Sequence, residues 1–391
     1  MADYLLGILA LSSYFIIFFW KFLKNPYLLC TSEIASTFFP HWVWMGRELR
    51  EGKFPSQDEI YYKWPGSISF LSTFYPLNLL SSYLGSFLNL DRAFALYCYF
   101  LLSHYLLGSV LAYWLFSGWC GPLVALFGAL TLTYSAYCIK PQTPAFVYTI
   151  AWIPLALSGG LKSALGLNMS LFGGYYPILV YLLPFVALVA PWTVLCGFLL
   201  AIPQVLPFLG YFRKSVRHKA KNSRYLGKIP WKKLIEFALP IQGYVPVNGV
   251  HYPEMAMYMG FLPFCFIWFS HSRFWFVLII GLLFVVGILP AIQRIPARTL
   301  FAVTVSVAIL STDGLSRLSF SSTYLGVILF LQAYLLFHNR NIYPSFPFSQ
   351  WWDKPSLLYA KSRKANGWPF ATGYLEGRRI SEYRGAFRIR E

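Results

Sequence analysis

Apolar runs close to membrane-crossing length, separated by short polar breaks, recur along most of the chain. A helix that crosses the hydrocarbon core needs about 20 mostly apolar residues. Such runs predict helices over residues 4–20, 93–116, 122–139, 145–157, 175–190, 192–211, 255–270, 274–289, 299–310 and 322–337. Residues 159–174 are weaker, holding Lys162 and Asn168, and read either as a further span or as a short dipping helix. The runs do not alternate with period two, which argues against a transmembrane barrel. The expected fold is all-α, a polytopic transmembrane helical bundle of about 10–11 spans with a large first loop.

The polar segments divide the chain. Residues 1–337 make the bundle, with a mixed loop at 21–92 and a basic loop at 212–256, and residues 338–391 form a basic C-terminal tail without a span. Within the first loop, His41–Glu51 lacks proline and predicts a short amphipathic helix, ended by Gly52 and Pro55. The N-terminus carries no Lys or Arg before the first run, so that run is expected to be a retained span and not a cleaved signal peptide.

Composition strengthens the membrane reading. The chain is 57% hydrophobic and 12% charged, against about 25% charged for an ordinary soluble domain, and its mean hydropathy is +0.54. The net charge of +18 is unevenly spread. Phe212–Lys233 holds nine Lys and Arg with no acid, and the tail holds ten basic against four acidic residues. Basic loops favour the cytoplasmic face. They can also grip an anionic headgroup or a phosphate-bearing substrate. Nucleic acid is a poor reading, because the basic loop lies between spans. Cys30, Cys98, Cys120, Cys138, Cys196 and Cys265 form no C-x-x-C pair and fit helix packing better than a zinc site or a disulfide framework.

Candidate chemistry begins with "SEIASTFFPHWVW", residues 32–44. If this stretch is helical, Glu33 and Thr37 share a face, and Pro40 marks the end or a kink of that turn. A carboxylate among Phe38, Phe39, Trp42 and Trp44 is either a solvated side chain in an aromatic interfacial belt or a base with a burial-raised pKa. Asp58-Glu59 is an adjacent acidic pair, either an exposed turn or oxygen ligands for a divalent cation, Mg or Mn. His104 lies inside the second span, where a histidine is either packed and hydrogen-bonded or functional. The chain contains no Walker A loop, GxGxxG, HExxH or GxSxG.

These blocks, taken in order, resemble the YfhO-like family of bacterial membrane proteins. The family's first outer loop places an Asp, then Gln four residues on, Pro seven on and an aromatic. Here that spacing reads Glu33, Thr37, Pro40 and His41-Trp42. "FYPLNLL" (74–80), "HYLLG" from His104, "AWIPL" (151–155), "AIPQVLP" (201–207), Ser215-Val216-Arg217, "YMGFLPF" (258–264) and "RIPARTL" (294–300) match later blocks. The departures are Glu for Asp, Thr for Gln, and "GGYYP" where the family has a histidine block. The resemblance implies a GT-C type glycosyltransferase of the bacterial inner membrane. Its donor would be a sugar on a polyprenyl phosphate and its acceptor a cell-envelope molecule. By that implication Glu33 is the catalytic carboxylate, Arg217 and Lys214 hold the phosphate, and Thr37, His104 and Gln204 line the substrate pocket. No cofactor beyond the divalent cation is implied, and the partners are the lipid-linked donor and membrane lipids. A membrane transporter or lipid flippase, and a non-catalytic scaffold acting through the basic tail, are the other functional classes the sequence allows.

Overall fold

The computed structural model describes residues 2–29, 34, 38–55, 72–140, 143–206, 229, 231–239, 258–286 and 299–339. Among them all regular structure is helical and no strand occurs. The helices are α1 (Ala2–Lys24), α2 (Phe39–Arg50), α3 (Pro76–Gly85), α4 (Leu90–Ser117), α5 (Pro122–Thr133), α6 (Pro144–Ala151) and α7 (Ile153–Ala156). They continue with α8 (Gly160–Gly173), α9 (Tyr176–Val189), α10 (Pro191–Leu200), α11 (Leu262–Phe266), α12 (Phe274–Val285), α13 (Leu300–Ser316) and α14 (Ser322–Asn339).

Proline sets where many of these begin. Pro40, Pro76, Pro122, Pro144, Pro154, Pro177, Pro191 and Pro263 each stand at the first or second position of a helix. There the missing N–H costs nothing and the fixed φ suits the first turn. Pro40 therefore stands in the first turn of α2, and most of the turn expected before it lies outside the described residues. The amphipathic helix expected at His41–Glu51 exists, shifted to Phe39–Arg50.

The helices differ in length. Asp3–Lys24 and Leu90–Ser117 are long and apolar enough to cross a membrane by length and composition. The 28 residues of α4 extend about 42 Å, whereas the 12 to 14 residues of α5, α8 and α9 reach only about 18–21 Å. The run expected to continue to residue 139 stops at Thr133, and residues 134–140 turn back through the interior. The run at 145–157 breaks at Trp152 into α6 and α7, and only short helical pieces occupy residues 262–269 of the run expected at 255–270.

Side-chain contacts fix the directions. Tyr99 Oη donates to the Leu23 carbonyl, Phe19 packs on Tyr105, and Tyr113 Oη reaches the Asp3 carbonyl, so α1 and α4 are antiparallel. α8 runs antiparallel to α7–α6: Ser163 donates to the Ala156 carbonyl and Ser170 to that of Thr149. It runs parallel to α10, with Thr193 on Ser163 and Gln204 on the Leu171 carbonyl. The weak segment 159–174 is thus a full helix of the bundle. Its close approach needs glycine: a methyl group on Gly166 would overlap the Ala156 nitrogen and lie 2.6 Å from the Leu155 carbonyl carbon. α14 runs beside α5, where Gln332 Nε2 donates to Thr131 Oγ1 and to the Met259 carbonyl.

These directions bring one end of the bundle into focus. Ser72 Oγ donates to the Gly173 carbonyl, and Gln204 Nε2 donates to the carbonyls of Leu171 and Phe172. The chain emerging from the first loop and the chain entering the basic loop therefore meet at the C-terminus of α8.

Candidate functional site

The short helices stop partway along α4, and their ends form an interior floor. Its hub is α6, eight residues long and buried at every position except Ile150. Phe146 of α6 packs edge-on against Tyr137, Tyr175 and Phe301. Tyr148 stacks on Tyr75 with ring centroids 5.3 Å apart. Thr149 Oγ1 accepts from the Tyr175 amide.

Lys140 lies in this floor, 5% exposed. Its ammonium sits 3.4 Å from the centre of the Tyr137 ring and 5.0 Å from that of Phe146. Its backbone N–H donates to Tyr105 Oη at 2.9 Å. Lys140 and Glu236 are the buried charged side chains among the described residues. Glu236 belongs to a 3-10 helix, Trp231–Phe237. Two backbone bonds tie that helix to the floor: the Met259 amide donates to the Phe237 carbonyl, and the Ala136 amide to that of Tyr258.

Helix ends add to the positive charge. Phe146, Tyr175 and Phe301 lie at the N-termini of α6, α9 and α13, and none of these three ends has a side-chain cap. The N-terminus of a helix carries about half a positive charge, and at α9 the Tyr175 amide donates to Thr149 Oγ1. Three such ends thus converge on the aromatic cluster that holds Lys140. The stretch between Asp91 and Glu254 contains a single carboxylate, Glu236. The floor is therefore an anion-favouring interior with one acid beside it.

His104 belongs to a second, contiguous network. Its Nδ1 lies 2.8 Å from the Phe100 carbonyl, which can only accept, so Nδ1 carries the proton and Nε2 is the acceptor. Tyr75 Oη, 2.7 Å from Nε2, donates to it and in turn accepts from Trp152 Nε1 at 2.7 Å. A small cavity of about 20 Å³ borders His104, Tyr105 and Thr133. His41 Nε2 pairs with Thr73 Oγ1 at 2.9 Å, linking α2 to the same turn. That turn contains Ser72, a non-glycine residue at φ 59°, a conformation that costs energy and is held here by the bond to Gly173.

The expected site residues divide sharply. His104 is in the floor, hydrogen-bonded on both nitrogens. Gln204 is buried beside the floor, where it clamps α10 to the end of α8 and donates to Tyr176 Oη. Glu33, Thr37, Asp58, Glu59, Lys214 and Arg217 lie outside the described residues, as does the tail. Among the described residues no three His, Cys, Asp or Glu side chains gather as metal ligands. Lys140 and Glu236 were missed from sequence. A signal was present: Lys140 is the sole Lys or Arg in residues 93–161.

Outside the bundle, Glu51 at the end of α2 accepts from Lys53 at 2.9 Å and Arg47 at 3.1 Å. These bonds, that from Lys53 first, hold its carboxyl below the ordinary value, and the same pairing raises Lys53. No family model, curated protein or solved structure matches the chain.

Proposed function

We propose that the chain is a multi-span inner-membrane glycosyltransferase of GT-C type that uses a polyprenyl-phosphate-linked sugar. The membrane part is supported by the outward faces of helices shorter than a full span. Trp192, Leu195 and Leu199 of α10, Phe276 and Ile279 of α12, and Phe330 and Tyr334 of α14 are all exposed. Soluble proteins rarely leave such contiguous apolar surface in water. Short helices paired end to end beneath a re-entrant floor would still fill the hydrocarbon core.

The observation that carries the functional reading is Lys140, buried where three uncapped helix N-termini meet. A leaving lipid phosphate needs positive charge that is already in place, in an interior where water does not compete. Lys140 and the helix ends supply it, with Arg217 and Lys214 as expected additions from the basic loop. Glu33 is the proposed base that takes the proton of the acceptor hydroxyl. The sugar's anomeric carbon passes from phosphate oxygen to acceptor oxygen, and the lipid phosphate departs with the bonding pair. Ser72 and Gln204, which lie next to the parts of the first and basic loops outside the described residues, meet at the C-terminus of α8, and this supports a site that uses both loops. Glu236 is a second buried carboxylate, on the 3-10 helix tied to the floor.

Transfer of radiolabelled sugar from a polyprenyl-phosphate donor, in vesicles holding the full chain, tests this. Glu33→Gln should abolish transfer, and Lys140→Gln should lower kcat/KM by about 10–100-fold, as loss of one charge-assisted contact does. Full transfer by both variants refutes the assignment. Two opposite buried charges in the interior also favour a transporter; accumulation of substrate in proteoliposomes without glycosyl product would select that reading.

A further inference from the structure

A cavity of about 310 Å³ lies between α2, the end of α3 and the start of α4, away from the floor. Trp42, Leu88 and Leu90 form its apolar wall, and Arg47, Arg50 and Glu51 its polar side. Its size and its mostly fixed walls suit a small ligand. The Trp42 indole is held by its bond to Ser81 Oγ at 3.0 Å. A methyl on Gly85 would run into the Trp42 ring, so the two helices meet closely here. Arg50 Nη1 donates to the Ser86 carbonyl at 3.1 Å, which fixes that guanidinium at the rim. Glu51 is engaged by Lys53 and Arg47. Arg47, Arg50 and Lys53 against the carboxylates of Glu51 and Glu48 leave the rim positive by one charge.

A second observation says what the ligand looks like. Leu80, Leu84 and Phe87 are 56%, 52% and 60% exposed. Their spacing of four and three residues puts them in one stripe along α3 and just past its end. This stripe starts beside the cavity-lining residues Gly85, Ser86 and Leu88. An apolar stripe next to a cationic rim is the pattern of a segment lying in a membrane interface. A small soluble anion would use the arginines and leave the apolar wall and stripe bare. An anionic glycerophospholipid uses all three.

We infer that this cavity binds the headgroup of an anionic glycerophospholipid from the surrounding bilayer, with the phosphate on Arg47 and Arg50 and an acyl chain along Leu80, Leu84 and Phe87. The site anchors α2 and α3 at the membrane surface beside the turn that carries Ser72, Thr73 and Tyr75. The inference rests on the membrane reading but not on the reaction.

The test is native mass spectrometry of the full chain released from vesicles of mixed phosphatidylglycerol and phosphatidylcholine. Retention of the chain in carbonate-washed membranes is scored first. Its loss refutes the membrane reading, whereas retention without a lipid preference refutes only the headgroup site. The expected result is preferential retention of phosphatidylglycerol that weakens steeply with salt and resists excess inorganic phosphate. Arg47→Gln with Arg50→Gln should cut that preference about thirtyfold, the combined weight of two cations at a surface. Arg47→Lys with Arg50→Lys should keep most of it. Equal retention of both lipids, salt-independent retention, displacement by phosphate alone, or an unchanged Gln double variant each overturns the proposal. The salt and phosphate arms use the wild-type chain, so misfolding of a variant leaves the test intact.

Discussion

Tyr75→Phe isolates the network beside the floor. The substitution keeps the ring stacked on Tyr148 and removes one oxygen. That oxygen donates to His104 Nε2 and accepts from Trp152 Nε1, each at 2.7 Å. His104 is 2% exposed, so its Nε2 loses its partner without gaining bulk water. An orphaned buried group costs about 1–3 kcal/mol, and the half-buried Trp152 N–H costs less, for a total of about 2–4 kcal/mol. Hydrogen bonds between helices in lipid average about 0.6 kcal/mol, because the unfolded chain in the membrane finds other partners; two bonds then give about 1 kcal/mol. The cavity of about 20 Å³ next to His104 is large enough for one water, which lowers the cost toward that smaller figure. Reversible unfolding in mixed micelles measures the difference, and a cycle with His104→Leu isolates the coupling. The expected loss for Tyr75→Phe is about 1–3 kcal/mol, with roughly half of it absent when His104 is already Leu. A change within about 0.5 kcal/mol, the range of ordinary surface substitutions, would refute the network.

Further outcomes follow from other contacts. Gly166→Ala should cost about 3 kcal/mol by forcing α8 off the α7 backbone, whereas Gly326→Ala on α14, where an added methyl meets nothing within 4 Å, should be neutral or stabilising; equal effects in a thermal-shift assay would refute the close α7–α8 approach. Glu51 ionises more readily folded than unfolded, so its contribution is complete above the ordinary carboxyl value of 4.5 and is lost as pH falls through the lower folded value. A melting-temperature profile on that acid limb should flatten in Glu51→Gln and at high salt, and an unchanged limb in the variant would refute the pairing. Reporter fusions after residues 60, 225 and 391 should all report one face of the membrane, because the described segments flanking the first two lie at one end of the bundle and α14 runs toward that end; a reporter on the opposite face after residue 225 would rule out a site joining Glu33 to Arg217.

Much of the fold was legible in the sequence because proline punctuates it. Pro122, Pro144 and Pro191 open helices where the apolar runs begin, and the long uninterrupted run 93–116 became most of α4. What the pattern could not supply was the difference between apolar and helical. "YSAYCIK", residues 134–140, is as apolar as a helix interior, yet it folds as a turn. Pro141 is incompatible with helix at the residue before it, and the β-branched and hydroxyl residues of "TLTYS" are weak helix formers. Apolar content there marks burial, and burial of a turn is how Lys140 comes to lie in the interior.

The same distinction explains why the candidate site was half visible. His104 was found because a histidine inside a helix run interrupts an apolar pattern. Lys140 interrupts one too, but next to Pro141 it reads as a loop residue at a membrane surface. Surface placement would leave its charge solvated and of little consequence. Interior placement is costly unless something repays it, and the faces of the Tyr137 and Phe146 rings lie beside the Lys140 ammonium while Tyr105 Oη accepts from its backbone N–H. Under the proposed function, this buried cation against aromatic faces would meet the phosphate of the lipid-linked donor. The short helices serve that arrangement: by stopping partway along α4 they place their positive ends where a long helix would have placed only side chains.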